Sequence, residues 1–476
     1  MLCCFGMQNE HAVDKWAEQE FGQALLGDQR RTARAVAMAK AIAAHPSGLL
    51  TQVFAKSDER EAAFRFVRND DISPSALMDA AHSRTALRCA EHPFVFVAVD
   101  QTDLSIVDNQ RTKGLGDTGT AGSRGSGLQV VNSLAVSPDG VPLGLLSQQY
   151  WTRLVGKRKL VESRRKRPPE EKETGHWLAA LSQSQARLAS VSTECLPWFQ
   201  LDRGADAWPV HLFAQKLDGY LTVRASWNRR LWRAPREPQR YLWGHVEEQT
   251  PMGTHLLHIP REPGRPARQA LLTVRATPVE LDLVDHQKQR HHKTPLWAVL
   301  AHEDQPPPGI EAVRWLLLTT HPVHSKDDAL RVLGGYTQRW RVEEFHRTWK
   351  SGACQIERTQ LRSKENILRW AVLLSSVAVR VERLAKLSRT QPDLPATTEL
   401  DEAEIEAARL STQRKPSKAG QVPTIGEVTL WIAELGGYTG KSSGGPPGII
   451  VLTRGLQRIE LLAVHLHRTA EHPPDL

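Results

Sequence analysis

Two apolar runs, each followed directly by an aspartate, constrain the fold of this chain most strongly. PFVFVAV precedes Asp100, and CLPWFQL precedes Asp202. Short runs of this composition are typical of strands that are buried on both faces, with helices packed over the sheet. If the two strands are neighbours, each delivers a carboxylate at its end. The alternative is that each aspartate only caps a turn, which is a common role for this residue.

The segments around these strands divide the chain into three parts. The first part reads as three helical stretches that end at the breaker DDISPS. The middle part adds two strands joined at a PDG turn, a helix over TGHWLAALSQSQARLAS and a later β-rich segment. The last part is helical again. We therefore predict an α/β fold. Its parts are a helical domain (1–72), a core (73–389) with a β-rich insertion (about 226–320), and a helical domain (390–476).

Charge and cysteine content limit the partners and the compartment. The 476 residues include 62 Lys and Arg against 53 Asp and Glu, a formal charge of +9, which favours an acidic partner such as nucleic acid. The 5 cysteines form no CxxC pair, which argues against a disulfide framework or a structural zinc site. No apolar run approaches the roughly 18 residues of a membrane span, and the N-terminus lacks a basic signal segment. We expect a soluble, unexported cytoplasmic protein with no membrane partner.

The stretch YTQRWRVEEFHRTWKSG, residues 336–352, carries more chemistry than a surface helix needs. On a helix with about 100° per residue, Glu343 lies in a polar, cationic stripe and Glu344 lies off its edge. A separate arc of the same helix is apolar, with Val342, Phe345 and Trp349. The stripe fills an arc of roughly 80°; its members are Tyr336, Arg339, Glu343, Arg347 and Lys350.

Asp100, Asp202 and Glu343 together suggest a metal site. Mg²⁺ prefers oxygen ligands, so two or three converging carboxylates suffice when water and substrate phosphate complete the shell. Two such ions would activate a water or a 3′-hydroxyl for phosphoryl transfer. The alternative for the helix is a solvated face with ion pairs such as that between Arg339 and Glu343, each worth about 0.2 to 0.5 kcal/mol.

At this point the sequence resembles a known family. The segment 336–352 has the Y-x2-R-x3-E-x6-K signature of the cut-and-paste DDE transposases of bacterial insertion sequences, of the transposon Five type. The resemblance extends along the chain. It includes LGDQRRTARAV, AAFRFVRN, VAVDQTDLS, LDRGAD, VRWLLLTTHPV and the tail LGGYTGK, GPPG and RGLQR.

This resemblance implies a fold, a set of catalytic residues, a metal and a reaction. It implies an RNase H-like core with an inserted β-domain, an N-terminal domain that binds the terminal inverted repeats of a mobile element, and a C-terminal domain that forms a homodimer. Asp100, Asp202 and Glu343 would be the catalytic residues and the ligands of Mg²⁺, which Mn²⁺ can replace. The enzyme would cut both element ends through hairpin intermediates and join them to double-stranded target DNA, in a paired-end complex in a bacterial nucleoid.

The resemblance also assigns DNA contacts around the triad. Tyr336, Arg339 and Lys350 would hold phosphates of the DNA end, which suits a hydroxyl and two cations on one face. Trp315 would stack on a flipped base, with core packing as the alternative. Arg224 would be a further contact at the DNA end.

Three arginines near the N-terminus are a separate candidate DNA contact. Arg30, Arg31 and Arg34 lie at the start of an alanine-rich helix whose remainder is apolar. They would contact phosphates or simply solvate the helix.

Two features depart from the family pattern. Gly204 stands in DRGAD where the family's DREAD motif has Glu, and we expect it to loosen the helix that follows. Residues 156–173, GKRKLVESRRKRPPEEKE, are unusually basic. This segment is either a DNA-contacting loop or a disordered charged insertion.

Other functions and contacts remain open from the sequence. A DNA-binding regulator with a core that no longer cleaves is the main alternative, and the intact triad disfavours it. A carboxylate-pair glycosidase would explain neither the polar stripe nor the basic charge. The tail from Trp431 to Leu466 is expected to supply the contact between subunits, with packing inside one chain as the alternative. Its apolar residues are Ile432, Ile449, Ile450, Leu456, Ile459 and Leu462.

Overall fold

A mixed sheet of ten strands forms the centre of the protein. The computed structural model describes residues 12–119, 125–153, 168–259, 266–285, 288–414, 422–440 and 445–471. The strand order is β2-β3-β1-β5-β6-β10-β9-β8-β7, and β4 pairs with β3. The strands are β1 (Phe94–Ser105), β2 (Gly116–Asp117), β3 (Ser126–Val136), β4 (Pro142–Trp151), β5 (Leu196–Leu201), β6 (Tyr220–Arg224), β7 (Gly253–Ile259), β8 (Arg268–Asp285), β9 (Arg290–Glu303) and β10 (Arg314–Thr319).

Strand β1 is buried on both faces, as its apolar composition predicts. Phe96 and Ala98 belong to one hydrophobic core, whereas Val95, Val97 and Val99 belong to the core on the opposite face. The predicted hairpin at the PDG turn is also present, because β3 and β4 pair antiparallel. The α/β fold class is therefore confirmed.

Fourteen helices lie in the described ranges. They are α1 (Ala12–Phe21), α2 (Gln29–Ala44), α3 (Leu50–Val53), α4 (Ser57–Arg68), α5 (Pro74–Cys89), α6 (Glu173–Ala189), α7 (Trp208–Ala214), α8 (Leu242–Glu247), α9 (Lys326–Thr337), α10 (Trp340–Lys350), α11 (Lys364–Thr390), α12 (Glu402–Thr412), α13 (Ile425–Leu435) and α14 (Ile449–Glu471). None of them is both long enough and apolar enough to cross a bilayer.

The N-terminal helices share a core with the catalytic region. Apolar residues of α1, α2 and α4 and the large ring of Trp370 on α11 lie in one continuous cluster. The buried Arg369 side chain donates to the carbonyls of Ile72 (2.6 Å) and Val67 (2.9 Å), and the Trp370 Nε1–H donates to the Gly48 carbonyl (3.0 Å). The described N-terminal segment, residues 12–72, is thus hydrogen-bonded to the core.

The β-rich segment extends the main sheet instead of forming a separate layer. Strand β10 pairs with the core strand β6, and β9, β8 and β7 follow outward in order. The predicted β-rich segment is not strand throughout, because RYLWGHVEE, whose composition suggests a strand, contains the short helix α8 at Leu242–Glu247. Its apolar residues Leu242 and Val246 are buried four positions apart, which is helical spacing.

The apolar residues of the tail are mostly used within the chain. Ile432, Leu456 and Ile459 are at most 6% exposed and pack with Leu384 and Leu387 of α11. Intramolecular packing, the alternative considered for this tail, therefore accounts for these three residues. Ile450 is 55% exposed and is the apolar residue of that set that faces outward.

Candidate active site

Asp100 and Asp202 lie side by side at one edge of the parallel strands. Strands β1 and β5 pair in parallel up to Val99 and Leu201, so the next residue of each strand is one of the two aspartates. The expectation that Asp100 ends its strand is wrong: β1 continues to Ser105 because its other edge still pairs with β3, where Asp100 faces Asn132. The two carboxylates nevertheless meet where the parallel pairing stops.

The signature segment is two helices, not one. Tyr336 lies in the last turn of α9, and α10 begins at Trp340. Between them, the N–H groups of Gln338 and Arg339 donate to carbonyls three residues earlier, at 3.0 and 3.1 Å. This tighter 3₁₀ turn changes the angular step between residues, so a single stripe at 100° per residue does not hold across it. Arg339 and Glu343 still lie one turn apart.

Helix α9 approaches the sheet through Gly335. A Cβ at this position would lie 2.6 Å from the ring of Phe96 on β1 and 3.0 Å from the Gln200 side chain on β5. Only glycine fits so close an approach. The helix therefore delivers the signature segment directly onto the two strands that carry the aspartates.

Helix α10 is fixed over the sheet by a buried polar contact. His346 is buried and its Nε2 lies 3.0 Å from the Asn132 amide nitrogen, on the strand residue that faces Asp100. Gln148 in turn donates to Asn132 at 2.9 Å. Burial lowers the pKa of His346 to about 3, so its ring is neutral near pH 7. The predicted apolar face of α10 is confirmed, because Val342, Phe345 and Trp349 are fully buried.

Arg339 bridges the carboxylates of the predicted triad. Its guanidinium contacts Glu343 at 2.5 Å and Asp100 at 3.6 Å. Burial alone would lower the pKa of Arg339, but Tyr336, Glu343 and Asp100 raise it above its usual value. A positive charge therefore already lies between two of the three carboxylates.

The surroundings of Asp100 disfavour its charged form unless a cation compensates it. Burial raises the pKa of Asp100, the charge of Asp202 raises it further, Arg339 opposes this, and the result is about 7. Like charges in a water-poor site disfavour ionisation unless a cation compensates them. The carboxylates of Asp100, Asp202 and Glu343 are the hard oxygen donors that Mg²⁺ or Mn²⁺ prefers.

The carboxylate oxygens present are suitable ligands for a divalent ion, provided that one side chain changes position. As they stand, no three His, Cys, Asp or Glu side chains in the described part of the chain are grouped to hold a metal. Glu343 is turned to Arg339 rather than to the aspartates, and its side chain is 46% exposed. Release of Glu343 from Arg339 is the change that the structure requires.

Glu344 lies in a different environment. It pairs with Arg341 at 2.5 Å. Burial raises the pKa of Glu382, and the nearby charge of Glu344 raises it further. Glu343 contacts Arg339, which also contacts Asp100, whereas Glu344 contacts Arg341. The two adjacent glutamates therefore lie in different surroundings.

The predicted DNA contacts around the triad are only partly accessible. Tyr336 is 3% exposed, and its ring lies 5.4 Å from that of Trp315. Trp315 is 7% exposed and also contacts Trp340, so core packing describes it in this structure. Arg224 is half-buried beside the Tyr336 hydroxyl and donates to the Arg314 carbonyl at 3.1 Å. Base stacking on Trp315 would require its ring to be uncovered.

Lys350 follows the same face of β1 as Asp100. Its Nζ donates to the Thr102 hydroxyl at 3.2 Å, two residues beyond Asp100 on the strand, and lies 3.5 Å from Glu357. Residues two apart on a strand share a face. The cation therefore lies along the path from the aspartates toward the end of β1.

The three N-terminal arginines are not equivalent. Arg30 is 92% exposed and pairs with Asp28, which caps α2. Arg31 donates to the Leu26 carbonyl and pairs with Asp71 at 2.6 Å, which are contacts within the N-terminal helices. Arg34 is exposed. Arg30 and Arg34 thus present cations outward, whereas Arg31 holds the domain together.

Asp206 organises the segment behind Asp202, and the sequence analysis did not identify it. Its fully buried carboxylate accepts from His211 (2.8 Å), from Arg229 (2.6 Å) and from the Ser226 N–H (2.7 Å). These partners lie after β5 and after β6, so Asp206 ties two loops together at the edge of the sheet that carries Asp202. The second acid of DRGAD was the available signal.

The Asp206 cluster predicts a loss of stability in acid. Burial would raise the pKa of Asp206, but His211 and Arg229 outweigh it and lower the pKa to about 2. A lowered carboxyl pKa adds stability above the unfolded value of about 3.9, and this stability is lost as pH falls toward 2. We expect Asp206→Asn to cost about 2 kcal/mol at pH 7 and to flatten this acid dependence, as measured by urea unfolding at pH 6 and pH 3. An unchanged slope between the two pH values would contradict this role.

Gly204 does not prevent a turn after Asp202. Its N–H donates to the Asp202 carboxylate at 2.8 Å, and Arg203–Ala205 form a 3₁₀ turn before α7. A Cβ at position 204 would lie 3.1 Å from that carboxylate. The basic stretch 156–173 lies outside the described residues up to position 167.

Three families match successive parts of the chain. Residues 13–72 match the transposase DNA-binding family, residues 168–379 the transposase DDE domain, and residues 376–471 the transposase Tn5 dimerisation domain. Asp202 and Glu343 lie inside the DDE match, and Asp100 precedes it. The last two matches meet inside the continuous helix α11.

These matches indicate a class of function, which the geometry of the site alone does not give. A DNA-binding domain makes DNA the partner, a dimerisation domain makes a second copy of the chain a partner, and a DDE domain makes the protein a nuclease of the kind that moves DNA, generally dependent on a divalent metal. The chain therefore carries, in order, matches to a transposase DNA-binding domain, a transposase DDE domain and a transposase dimerisation domain of the Tn5 type, which together support a DNA transposase.

Proposed function

We propose that this transposase binds the terminal inverted repeats of a mobile element, cuts both ends and joins the released 3′ ends to target DNA. The observation that carries the proposal is the meeting of Asp100 and Asp202 at the end of the parallel pairing, with Glu343 and Arg339 of the signature helix over them. The buried Asp100 carboxyl, close to two further carboxylates, is suited to a divalent cation.

The proposed catalytic residues have distinct tasks. Asp100, Asp202 and Glu343 would hold Mg²⁺, with Mn²⁺ as a substitute, and the bound ions would supply an activated water or 3′-hydroxyl and stabilise the leaving oxygen. The chain itself positions the scissile phosphate. Arg339 provides a cation between Asp100 and Glu343, Lys350 provides another beside Thr102 on β1, and Arg224 is the last residue of β6.

Water attack at the element end would release a 3′-hydroxyl as the phosphate bond to the flanking strand breaks. In the proposed hairpin step, that hydroxyl attacks the opposite strand and displaces the flanking DNA, and a second water then opens the hairpin. The hairpin step and the action in a bacterial nucleoid rest on the resemblance of the signature. Trp315 would stack on the base that this distortion exposes, after its ring has been uncovered.

The experiment that tests this function uses DNA carrying the inverted repeats that flank the gene. We expect specific binding of the repeats by the full chain, and cleavage at their ends only when Mg²⁺ or Mn²⁺ is added. Specific binding without cleavage under both metals would support a non-cleaving regulator instead. Neither binding nor cleavage of the repeats would contradict the proposal.

Arg339 is expected to compete with the metal when DNA is absent. Because its guanidinium neutralises Asp100 and Glu343, Arg339→Gln should tighten Mn²⁺ binding to the DNA-free protein by about tenfold, as measured by electron paramagnetic resonance of free Mn²⁺. The same change should weaken binding of element ends. Arg341→Gln, which removes the partner of Glu344, is the matched control and should leave Mn²⁺ binding unchanged. Equal Mn²⁺ affinity in both variants would show that Arg339 does not compete with the metal.

A further inference from the structure

A loop beside the active site combines exposed tryptophans with arginines. Residues 226–241, SWNRRLWRAPREPQRY, contain five arginines and one glutamate, a net charge of +4. Trp227 is 64% exposed, Trp232 39% and Tyr241 44%. A surface that serves only solubility needs charge but no exposed indole rings. We call residues 226–241 the Arg–Trp loop.

The Arg–Trp loop is an ordered structure at both ends. Arg230 and Tyr241 form an antiparallel bridge, and Leu231 bridges to Leu281 of β8 while remaining 8% exposed. The Trp232 N–H donates to the Glu280 carbonyl at 2.7 Å. The buried Leu231 and these main-chain bonds hold the backbone, so the arginine and tryptophan side chains project from a fixed base.

The start of the loop is tied to the residue that follows Asp202. The Ser226 hydroxyl donates to the Arg203 carbonyl at 2.7 Å, and the buried Asp206 accepts from the N–H groups of Ser226 and Trp227. Trp227, whose ring is exposed, therefore lies at the same edge of the sheet as the catalytic aspartates. Arg229 is used internally on Asp206, whereas Arg230, Arg233 and Arg236 are exposed.

The position of the loop indicates which DNA it meets. The N-terminal helices α2 and α4 pack on α11, which in turn packs on β4, and β4 lies on the β3 side of the catalytic strands. The Arg–Trp loop lies on the other side, beyond β6 and against β8. The two DNA-contacting regions of one chain are thus separated by the triad, so the loop is placed for DNA that this chain's DNA-binding domain does not hold.

We propose that the Arg–Trp loop is the docking surface for target DNA. Its arginines contact phosphates, and Trp227 and Trp232 stack on bases that become unstacked when the target duplex is bent at the point of joining. This inference rests on the strand-transfer half of the proposed function, and it assigns to that step a surface separate from the one that binds element ends.

The test separates target binding from end binding and cutting. Arg230→Ala, Arg233→Ala and Arg236→Ala are combined in one variant, and Trp227→Ala is made alone. Each full-length variant, with its folding checked by thermal melting, is assayed for binding of element ends, cleavage, binding of a non-element duplex, and strand transfer from pre-cut ends. We expect end binding and cleavage within about twofold of wild type, and target binding and strand transfer reduced at least about tenfold. The salt dependence of target binding should flatten by about 0.9 for each lost phosphate contact.

Two controls make the result specific. Trp227→Phe retains a stacking ring and should restore strand transfer. A second triple variant, Lys216→Ala with Lys326→Ala and Arg331→Ala, removes three exposed cations elsewhere on the core and should leave target binding unchanged.

Three outcomes would overturn the assignment. Equal target binding by the two triple variants would do so, and so would a loss of end binding or cleavage in the loop variants, since the loop would then serve the element end. Full strand transfer by Trp227→Ala would show that this ring is not part of the docking surface. If wild type binds target duplex but never transfers an end, the proposed function fails, while the duplex-binding comparison still decides the role of the loop.

Discussion

Replacing Glu343 by glutamine is expected to reduce metal-dependent cleavage by on the order of a thousandfold or more while leaving binding of element ends within about twofold. The change removes one negative charge and one oxygen ligand from the site and preserves the size of the side chain. Asp100→Asn and Asp202→Asn should have the same effect, because the proposed function places all three carboxylates at one metal centre. Gel shifts on repeat DNA and cleavage assays in Mg²⁺ measure the two activities separately.

Glu344→Gln is the matched control for this prediction. It is the adjacent residue on the same helix, but it pairs with Arg341 and lies near Glu382 of α11. We expect nearly full cleavage from this variant. If Glu344→Gln abolished cleavage and Glu343→Gln did not, the assignment of the two glutamates would be reversed.

Arg369→Ala is expected to destabilise the protein by about 3 to 5 kcal/mol. The guanidinium is 3% exposed, and its removal leaves the buried carbonyls of Ile72 and Val67 without their donor. The N-terminal helices should then separate from the core before the core itself unfolds. A lower first transition in urea, together with rapid proteolysis near residue 72, would report this separation.

An exposed arginine on α4 provides the comparison for Arg369. Arg65 is 74% exposed and lies 3.9 Å from Glu61. Arg65→Ala should change the free energy of unfolding by less than about 0.5 kcal/mol. Equal effects of the two substitutions would show that the N-terminal helices are not held by Arg369.

The sequence predicted the elements whose signals are local. Apolar runs identified β1 and β5, the PDG turn identified the β3–β4 hairpin, and helical spacing identified the buried face of α10. The adjacency of Asp100 and Asp202 also followed, because both runs end in an aspartate and parallel strands deliver their ends to one edge.

The features that the sequence did not predict depend on contacts distant in the chain. The 3₁₀ turn at Gln338 and Arg339 follows from how α9 and α10 must both reach the sheet, and no residue in that turn is a helix breaker. Trp315 is buried because Tyr336 and Trp340 pack on it from another element. Asp206 gains its role from His211, Ser226 and Arg229, and the last of these lies 23 residues later.

Iron-directed cleavage of the protein backbone tests most directly whether the three carboxylates form one metal centre. Fe²⁺ bound in place of Mg²⁺, with ascorbate and peroxide, releases hydroxyl radicals that cut the chain close to the ion. For the full-length protein on paired element ends, we predict cuts near residues 100, 202 and 343, and their joint loss in Asp202→Asn. Cuts elsewhere in the chain, or cuts that persist in Asp202→Asn, would contradict a metal centre at Asp100, Asp202 and Glu343.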